Sequence, residues 1–298
     1  MVRTAVHALG LLALGRALCR RGVRILMYHR FPNDAAGLRE QCEHMRKHYH
    51  PVTLTEIADS LRGGRPLPAN AIAVTIDDGY RDFVTAAHPV FHAYDIPTTI
   101  FVVSDFLDGA RWLPHDVVRY ALAHTARKAP AVDVSAFNER LKGRPHAERD
   151  AAIAALVREL EVDIPSRPPE EYAPMTWDDA RGIVREGVEI GVHTKTHAIL
   201  SQVTDAARLL EEILTPRARI EAELGRPALH FCYPNGRSQD FTAATIDLLK
   251  TSGFATAVTT ERGINFADAA PFQLRRLGVE PNNPMPYFAE LLAGVRAQ

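Results

Sequence analysis

The chain has 298 residues, of which 46% are hydrophobic and 24% charged. This is a globular composition, and it excludes a disordered, collagen-like or polytopic membrane chain. Its 35 Lys and Arg offset 36 Asp and Glu to a formal net charge of −1, and with no basic block the chain is a poor partner for nucleic acid. Thirteen histidines are the unusual entry. They are either scattered surface residues or include a metal site. The cysteines Cys19, Cys42 and Cys232 are odd in number and widely spaced, so they form neither a disulfide framework nor a C-x-x-C metal pair. That fits a reducing compartment.

The N-terminus reads Met1-Val2-Arg3, an apolar run from Ala5 to Gly15, then Arg16, Arg20 and Arg21. The run is about half the ~20 residues that span a bilayer. It has the charged start and short apolar stretch of a signal peptide, but no small-x-small cleavage site followed by a spacer. Residues 1–22 are therefore set apart as an apolar, basic helix, open between a signal or anchor and a packing helix. Leu11, Leu12, Leu14 and Leu18 with basic flanks also suit a helix on a membrane surface, which would give peripheral membrane association through residues 3–21. A cytoplasmic or membrane-associated location is favoured, with export by an uncleaved N-terminal segment as the alternative.

Beyond residue 22, strands and helices alternate. Strand patterns cover Arg24–Tyr28, Ala71–Ile76, Pro97–Val103, Val188–Val192, Ala228–Tyr233, Phe254–Val258 and Gln273–Val279. Several are continuous and β-branched, as in strands buried on both faces. Helical patterns fall at Leu38–Tyr49, Tyr80–Tyr94, Ala206–Leu224, Phe241–Thr251 and Tyr287–Val295. Repeated β-α-β with about seven apolar strands implies a parallel sheet or barrel. Residues 108–174 break the rhythm: Ala147–Leu160 is helical, Pro165–Pro169 is a loop, and no buried strand is evident. This segment reads as a helical insertion within one domain of residues 23–298.

Four strand ends carry polar residues suited to chemistry. Strand Ala71–Ile76 runs into Asp77-Asp78-Gly79. Adjacent carboxylates there are costly unless a cation or donors hold them ionised, although an Asp-Gly turn with one Asp as helix cap is the plain alternative. Strand Val188–Val192 runs into His193-Thr194-Lys195-Thr196-His197. Histidines at this spacing can reach one metal, and with one carboxylate they leave an open coordination position, the pattern of a catalytic zinc. His44/His48 and His88/His92 share the spacing but lie within helices, so they are expected on solvated faces. Tyr233-Pro234-Asn235-Gly236 forms a tight turn that can aim a backbone N–H at the rim. His29 follows the first strand, where a lone histidine is more often structural.

Together these motifs resemble the polysaccharide deacetylases of carbohydrate esterase family 4, the NodB-homology domain. Thr75-Ile76-Asp77-Asp78-Gly79 is similar to the family's T-F-D-D-G, and His193–His197 to its H-[ST]-x-x-H. Thr176-Trp177-Asp178 and Gly187-Val188-Glu189-Ile190-Gly191 follow the pattern too. The resemblance spans residues 24–279. It implies a distorted (β/α) barrel of about seven strands, a divalent metal, usually zinc, on Asp78, His193 and His197, and Asp77 as general base. The implied reaction is removal of N-acetyl groups from N-acetylated sugars of a polysaccharide, of the exopolysaccharide or poly-N-acetylglucosamine type in the cell envelope.

Two departures accompany the resemblance. Cys232 stands where the family's R-x-P-x-G motif has Arg, and no histidine follows His230 to supply the acid of an L-x-H motif. Exopolysaccharide-type relatives depart in this way, with a Y-P-x-G turn and a histidine after the first strand serving as acid. By that resemblance His29 becomes the acid, Asn235 and Tyr233 face the oxyanion or substrate, and Arg276 in the final strand could steady Asp77. The alternatives are a hydrolase of a non-carbohydrate amide or a deformylase on the same scaffold, or a glycan-binding relative with little turnover. The insertion is expected to shape the substrate groove, with Trp112 and Tyr120 its visible aromatics.

Overall fold

The computed structural model describes residues 2–126, 137, 139–141 and 143–295. Residues 127–136, 138 and 142 of the expected insertion lie outside the described residues, as do Met1 of the expected N-terminal helix and 296–298. Eight strands form one parallel sheet: β1 (Arg24–Tyr28), β2 (His50–Pro51), β3 (Ala71–Ile76), β4 (Thr98–Val102), β5 (Glu189–Val192), β6 (His230–Cys232), β7 (Thr256–Arg262) and β8 (Leu274–Gly278). β1 pairs with β8 on one side and β3 on the other, so seven strands close into a barrel and β2 adds an edge to β3. Of the parallel sheet or barrel that the alternating pattern allows, this is the (β/α) barrel that the family resemblance implied.

Alternation along each strand sorts the barrel into layers. Ile25, Ala73, Phe101, Cys232, Val258 and Leu274 form one apolar cluster contributed by six strands, the barrel interior. Their neighbours Leu26, Val74, Ile100, Val102, Val192 and Phe231 pack outward with the helices. Both faces are apolar, which is why the strands read as unbroken hydrophobic runs. β5 contributes Gly191 to the interior layer. A Cβ there would meet the Phe101 ring at 2.5 Å and the His230 carbonyl at 2.8 Å.

Below this layer the floor is polar. Glu189 accepts the N–H groups of Leu54 and Thr55 and the Thr99 hydroxyl at 3.0, 3.3 and 2.7 Å. It thereby caps a short helix, Leu54–Leu61, that plugs the barrel end. His230 spans the Thr55 and Thr256 hydroxyls at 3.0 and 2.8 Å.

The helices are α1 (Val2–Leu18), α2 (Ala36–His48), α3 (Leu54–Leu61), α4 (His88–Ala93), α5 (Ser104–Leu107), α6 (Pro114–His124), α7 (His146–Glu159), α8 (Trp177–Arg185), α9 (Ala206–Leu224), α10 (Ala243–Thr251) and α11 (Met285–Ala293). The helix expected over Tyr80–Tyr94 opens instead as a π turn, Phe83–Ala87. Pro89 has no N–H to continue the i→i−4 ladder, and the backbone widens just before it. α3 and α8 have Thr-x-x-Glu and Thr-x-x-Asp capping boxes, Thr53/Glu56 and Thr176/Asp179. Periodicity alone does not find such short helices.

The N-terminal helix packs on the C-terminal one. A Cβ at Gly15 would meet the Ala293 carbonyl at 2.5 Å, so the two backbones touch. Arg24, fully buried, locks the corner by donating to the carbonyls of Leu292, Cys19 and Gly22 at 2.9, 3.0 and 2.9 Å. Leu11, Leu14 and Leu18 remain exposed on the outer side. Among the described residues no helix is long and apolar enough to cross a membrane.

Two histidines depart from the solvated faces expected of them. His88 is buried, with Nε2 2.7 Å from a Glu186 carboxylate oxygen and its ring against Phe83. His44 packs between Tyr49 and Phe288, and burial pulls its pKa down to about 4. Each packs against a neighbouring element, and among the described residues neither pair joins a carboxylate cluster suited to a metal.

Gly191→Ala should overpack the interior layer against Phe101 and lower stability by about 1–3 kcal/mol. Urea denaturation followed by circular dichroism measures this. An unchanged midpoint would contradict the tight layer.

Candidate active site

Because all the barrel strands are parallel, their C-terminal ends face one rim, where (β/α) barrels place their chemistry. There His29, Asp77, Asp78, His193, His197, Tyr233 and Asn235 line one cavity of about 600 Å³. The backbone turns sharply to present them. Of the seven non-glycine residues with positive φ among the described residues, Asp78, Thr194, His197 and Asn235 belong to this rim. Such conformations cost of order 1–3 kcal/mol each and concentrate at functional sites.

The Nε2 atoms of His193 and His197 lie 3.5 and 3.4 Å from one Asp78 oxygen, Oδ1. That oxygen is buried and makes no hydrogen bond. These separations match the edges of a tetrahedron whose ligands lie ~2.0–2.1 Å from zinc. The His193 Nδ1 is 2.8 Å from the Cys232 carbonyl, which fixes Nδ1 as the donor and turns the Nε2 lone pair toward Asp78. The three residues therefore fit a divalent cation. Burial opposes the Asp78 charge, yet the two imidazoles hold its carboxyl well below the usual range.

Asp77, His193 and Cys232 also converge, but a cation already stands among them. Arg276 grips Asp77 with both arms, Nη1 to Oδ1 at 2.7 Å and Nη2 to Oδ2 at 2.8 Å, and its Nη2 is 3.2 Å from the Cys232 sulfur. Arg276 also donates to the Thr75 hydroxyl and the Thr259 carbonyl at 3.0 and 2.8 Å. Burial works against an ionised Asp77, but the guanidinium holds its carboxyl below the usual value. Burial also raises the pKa of the Cys232 thiol, so this second cluster is an ion pair with a neutral thiol beside it.

The remaining residues singled out from the sequence fall around this centre. His29, 41% exposed at its side chain, places Nε2 3.7 Å from Asp77 Oδ2. Asn235 lines the cavity, and its side-chain Nδ2 is buried without a partner. Tyr233 also lines it, but both of its donors are engaged: the N–H by the Val258 carbonyl and the hydroxyl by the Phe272 carbonyl at 3.0 Å. Its ring stacks on Phe241 at 4.0 Å. Of the oxyanion or substrate position expected for it, Tyr233 thus offers the cavity a ring wall, with its own donors used within the protein.

The insertion contributes residues that the sequence reading passed over. His115 at the start of α6 brings its ring 5.8 Å from that of His197. The Tyr80 hydroxyl donates to Asp116 at 2.6 Å and lies 2.8 Å from His115 Nε2. Burial drives the His115 pKa down to about 3 and lifts Asp116 to about 6. Arg119 and Arg149 line the same cavity. Pro114 at the helix start was the one local signal for α6. Trp112 and Tyr120 instead pack with Tyr172 and hold the insertion together; neither lines the cavity.

The sequence model of the polysaccharide deacetylase family matches residues 64–257. The chain belongs to the polysaccharide deacetylase family. A poly-beta-1,6-N-acetyl-D-glucosamine N-deacetylase of Escherichia coli K12 is 38% identical over 74 residues, which are 24% of this chain and 11% of that relative's length. Among solved structures, IcaB from Ammonifex degensii has a TM-score of 0.62 at 22% identity, over 92% of this chain and 97% of that one. The BpsB deacetylase domain from Bordetella bronchiseptica has a TM-score of 0.60 at 21% identity, over 87% and 96%. The Streptococcus pyogenes deacetylase PplD in complex with acetate has a TM-score of 0.61 at 17% identity, over 88% and 93%. At these identities the structural likeness establishes that this deacetylase-family chain shares their fold.

Arg276→Gln should cost about 3–5 kcal/mol, because Asp77 is left charged and buried without its partner. The native carboxyl is held below its unfolded pKa of ~3.9. The pair therefore stabilises the fold above that pH and loses its contribution as pH falls through the folded value. Urea denaturation across pH 3–7 should show this acid limb in the native protein and a flattened one in the variant.

Proposed function

We propose that this family member is a metal-dependent N-deacetylase, acting on N-acetylhexosamine residues of a polysaccharide. The observation that carries the reading is the convergence of Asp78, His193 and His197 on one buried, unbonded carboxylate oxygen, beside an Asp77 held ionised by Arg276. A divalent cation held there, zinc by the nature of its ligands, supplies Lewis-acid polarisation.

The chain's own residues do the rest. Asp77 has a pKa below the usual range, so it is ionised at neutral pH and can accept a proton from an attacking water. His29 is close to Asp77 yet open to the cavity, and delivers a proton to the departing amine, which is too basic to leave unprotonated. Asn235 lines the cavity at the turn after β6, where its backbone N–H offers a donor to the oxygen on which negative charge develops. Arg276 positions Asp77 from beneath and touches no substrate. The poly-beta-1,6-N-acetyl-D-glucosamine N-deacetylase named above supports an amino-sugar polymer as substrate, and a cavity of about 600 Å³ accommodates sugar units at an open rim.

Acetate release from N-acetylglucosamine oligomers, assayed with metal analysis of the same samples, tests the assignments. Asp78→Ala should lose both bound metal and activity; stoichiometric metal in that variant would remove Asp78 from the ligand set. His29→Ala should lower kcat at least ~100-fold with metal retained, the usual contribution of a positioned acid. Full activity in that variant would remove His29 from the reaction.

A further inference from the structure

We propose that the insertion wall of the cavity is a carboxylate subsite, in which Arg149, with Arg119 at its rim, holds a carboxylate borne by a sugar adjoining the N-acetylated one. This rests on the deacetylase reading above and narrows its substrate to acidic glycans.

Arg149, on α7, lines the same cavity as Asp78 and His197. Its side chain is 8% exposed. A guanidinium has five N–H donors. Here Nη2 lies 2.9 Å from His146 Nδ1, while Nε is buried and makes no hydrogen bond. The nearest carboxylate among the described residues, Asp150, is 3.9 Å away, and it also lies 3.5 Å from Arg111 and 3.8 Å from His146. A buried guanidinium with so little compensation is costly in the free protein.

Two other arginines of the cavity are firmly paired. Arg30 is held by Asp82 at 2.6 Å and Arg237 by Glu139 at 3.2 Å. Arg119 resembles Arg149: its carboxylate neighbour Asp116 is 3.6 Å away, beyond hydrogen-bonding distance, and half of its side chain is exposed. Both come from the insertion, opposite the strand ends that carry the reacting groups. Of the carboxylates on the strand side, Asp77 is taken by Arg276 and Asp78 faces two histidines. Beyond the reacting centre itself, an anionic substituent on a neighbouring sugar meets under-paired guanidinium groups on the insertion side, at Arg149 and Arg119. The planar fork of arginine matches a carboxylate in two parallel hydrogen bonds. Ile153, one turn further along α7, lines the cavity beside it and limits solvent screening.

The test is calorimetric binding of two tetrasaccharides: one alternating N-acetylglucosamine with glucuronic acid, the other made of N-acetylglucosamine alone. The native protein should bind the acidic one at least ~10-fold more tightly, a preference that shrinks as salt is raised. Arg149→Gln should erase the preference, and Arg149→Lys should keep part of it. Arg119→Gln, a change at an exposed side chain, should reduce it and carries the test if Arg149→Gln does not fold. Equal affinities in the native protein, or a preference unchanged in these variants, would overturn the proposal. So would Arg149-dependent binding of sodium acetate without any oligosaccharide preference, which would give the subsite to the reaction product. Acetate release is read separately: its absence alongside a clear preference refutes the deacetylase reading and leaves the subsite standing.

Discussion

A guanidinium sealed inside the barrel governs the arrangement of its rim. Arg276 has no contact with water, so its charge must be answered within the protein, and Asp77 answers it with both oxygens. This commits the Asp77 side chain to the barrel interior, with its N–H tied to the Tyr28 carbonyl at 3.0 Å. The next residue must then turn away from the strand, and Asp78 does so at φ 78. That turn carries the second carboxylate to the two imidazoles instead of into the core. One ion pair thus separates two adjacent aspartates into two environments, one paired with a fixed organic cation and one facing a site fit for a metal.

The layers beneath this pair make its burial tolerable. An apolar middle layer, closed by Phe101 over Gly191, keeps solvent from reaching Arg276 from below. The floor then uses Glu189 to cap α3, so the barrel ends in satisfied backbone donors and not in an open hole. β5 supplies Glu189 at the floor and Gly191 in the middle, and His193 follows its last residue at the rim. These three alternate positions serve support, packing and chemistry in turn.

Much of this was legible in the sequence, for physical reasons. Strand ends in parallel sheets converge whatever the intervening loops do, so Asp77-Asp78 and His193–His197 could be placed on one rim from their positions after apolar runs. The long α9 over Ala206–Leu224 was readable because its period persists for many turns. What was not legible depended on tertiary contact. α3 has eight residues and takes its N-terminal support from Glu189, more than a hundred positions away. His88 reads as half of a surface pair in the sequence, but Glu186, just past the end of α8, covers it. His115 and Arg149 carry no motif; they matter because the insertion folds back over the barrel mouth, which no local pattern announces.

The contact between Cys232 and Arg276 ties two distant positions together. The family motif places an arginine on the strand that here carries Cys232, whereas in this chain the charge reaches Asp77 from β8, two strands further round. The Cys232 sulfur lies 3.2 Å from the Arg276 guanidinium, so the interior has no room for a second one. An arginine at position 232 would press a second guanidinium against the first, and loss of Arg276 alone would leave Asp77 buried without its counter-charge. The two positions are therefore coupled: neither can change by itself without a cost to folding, and their substitution energies should not add.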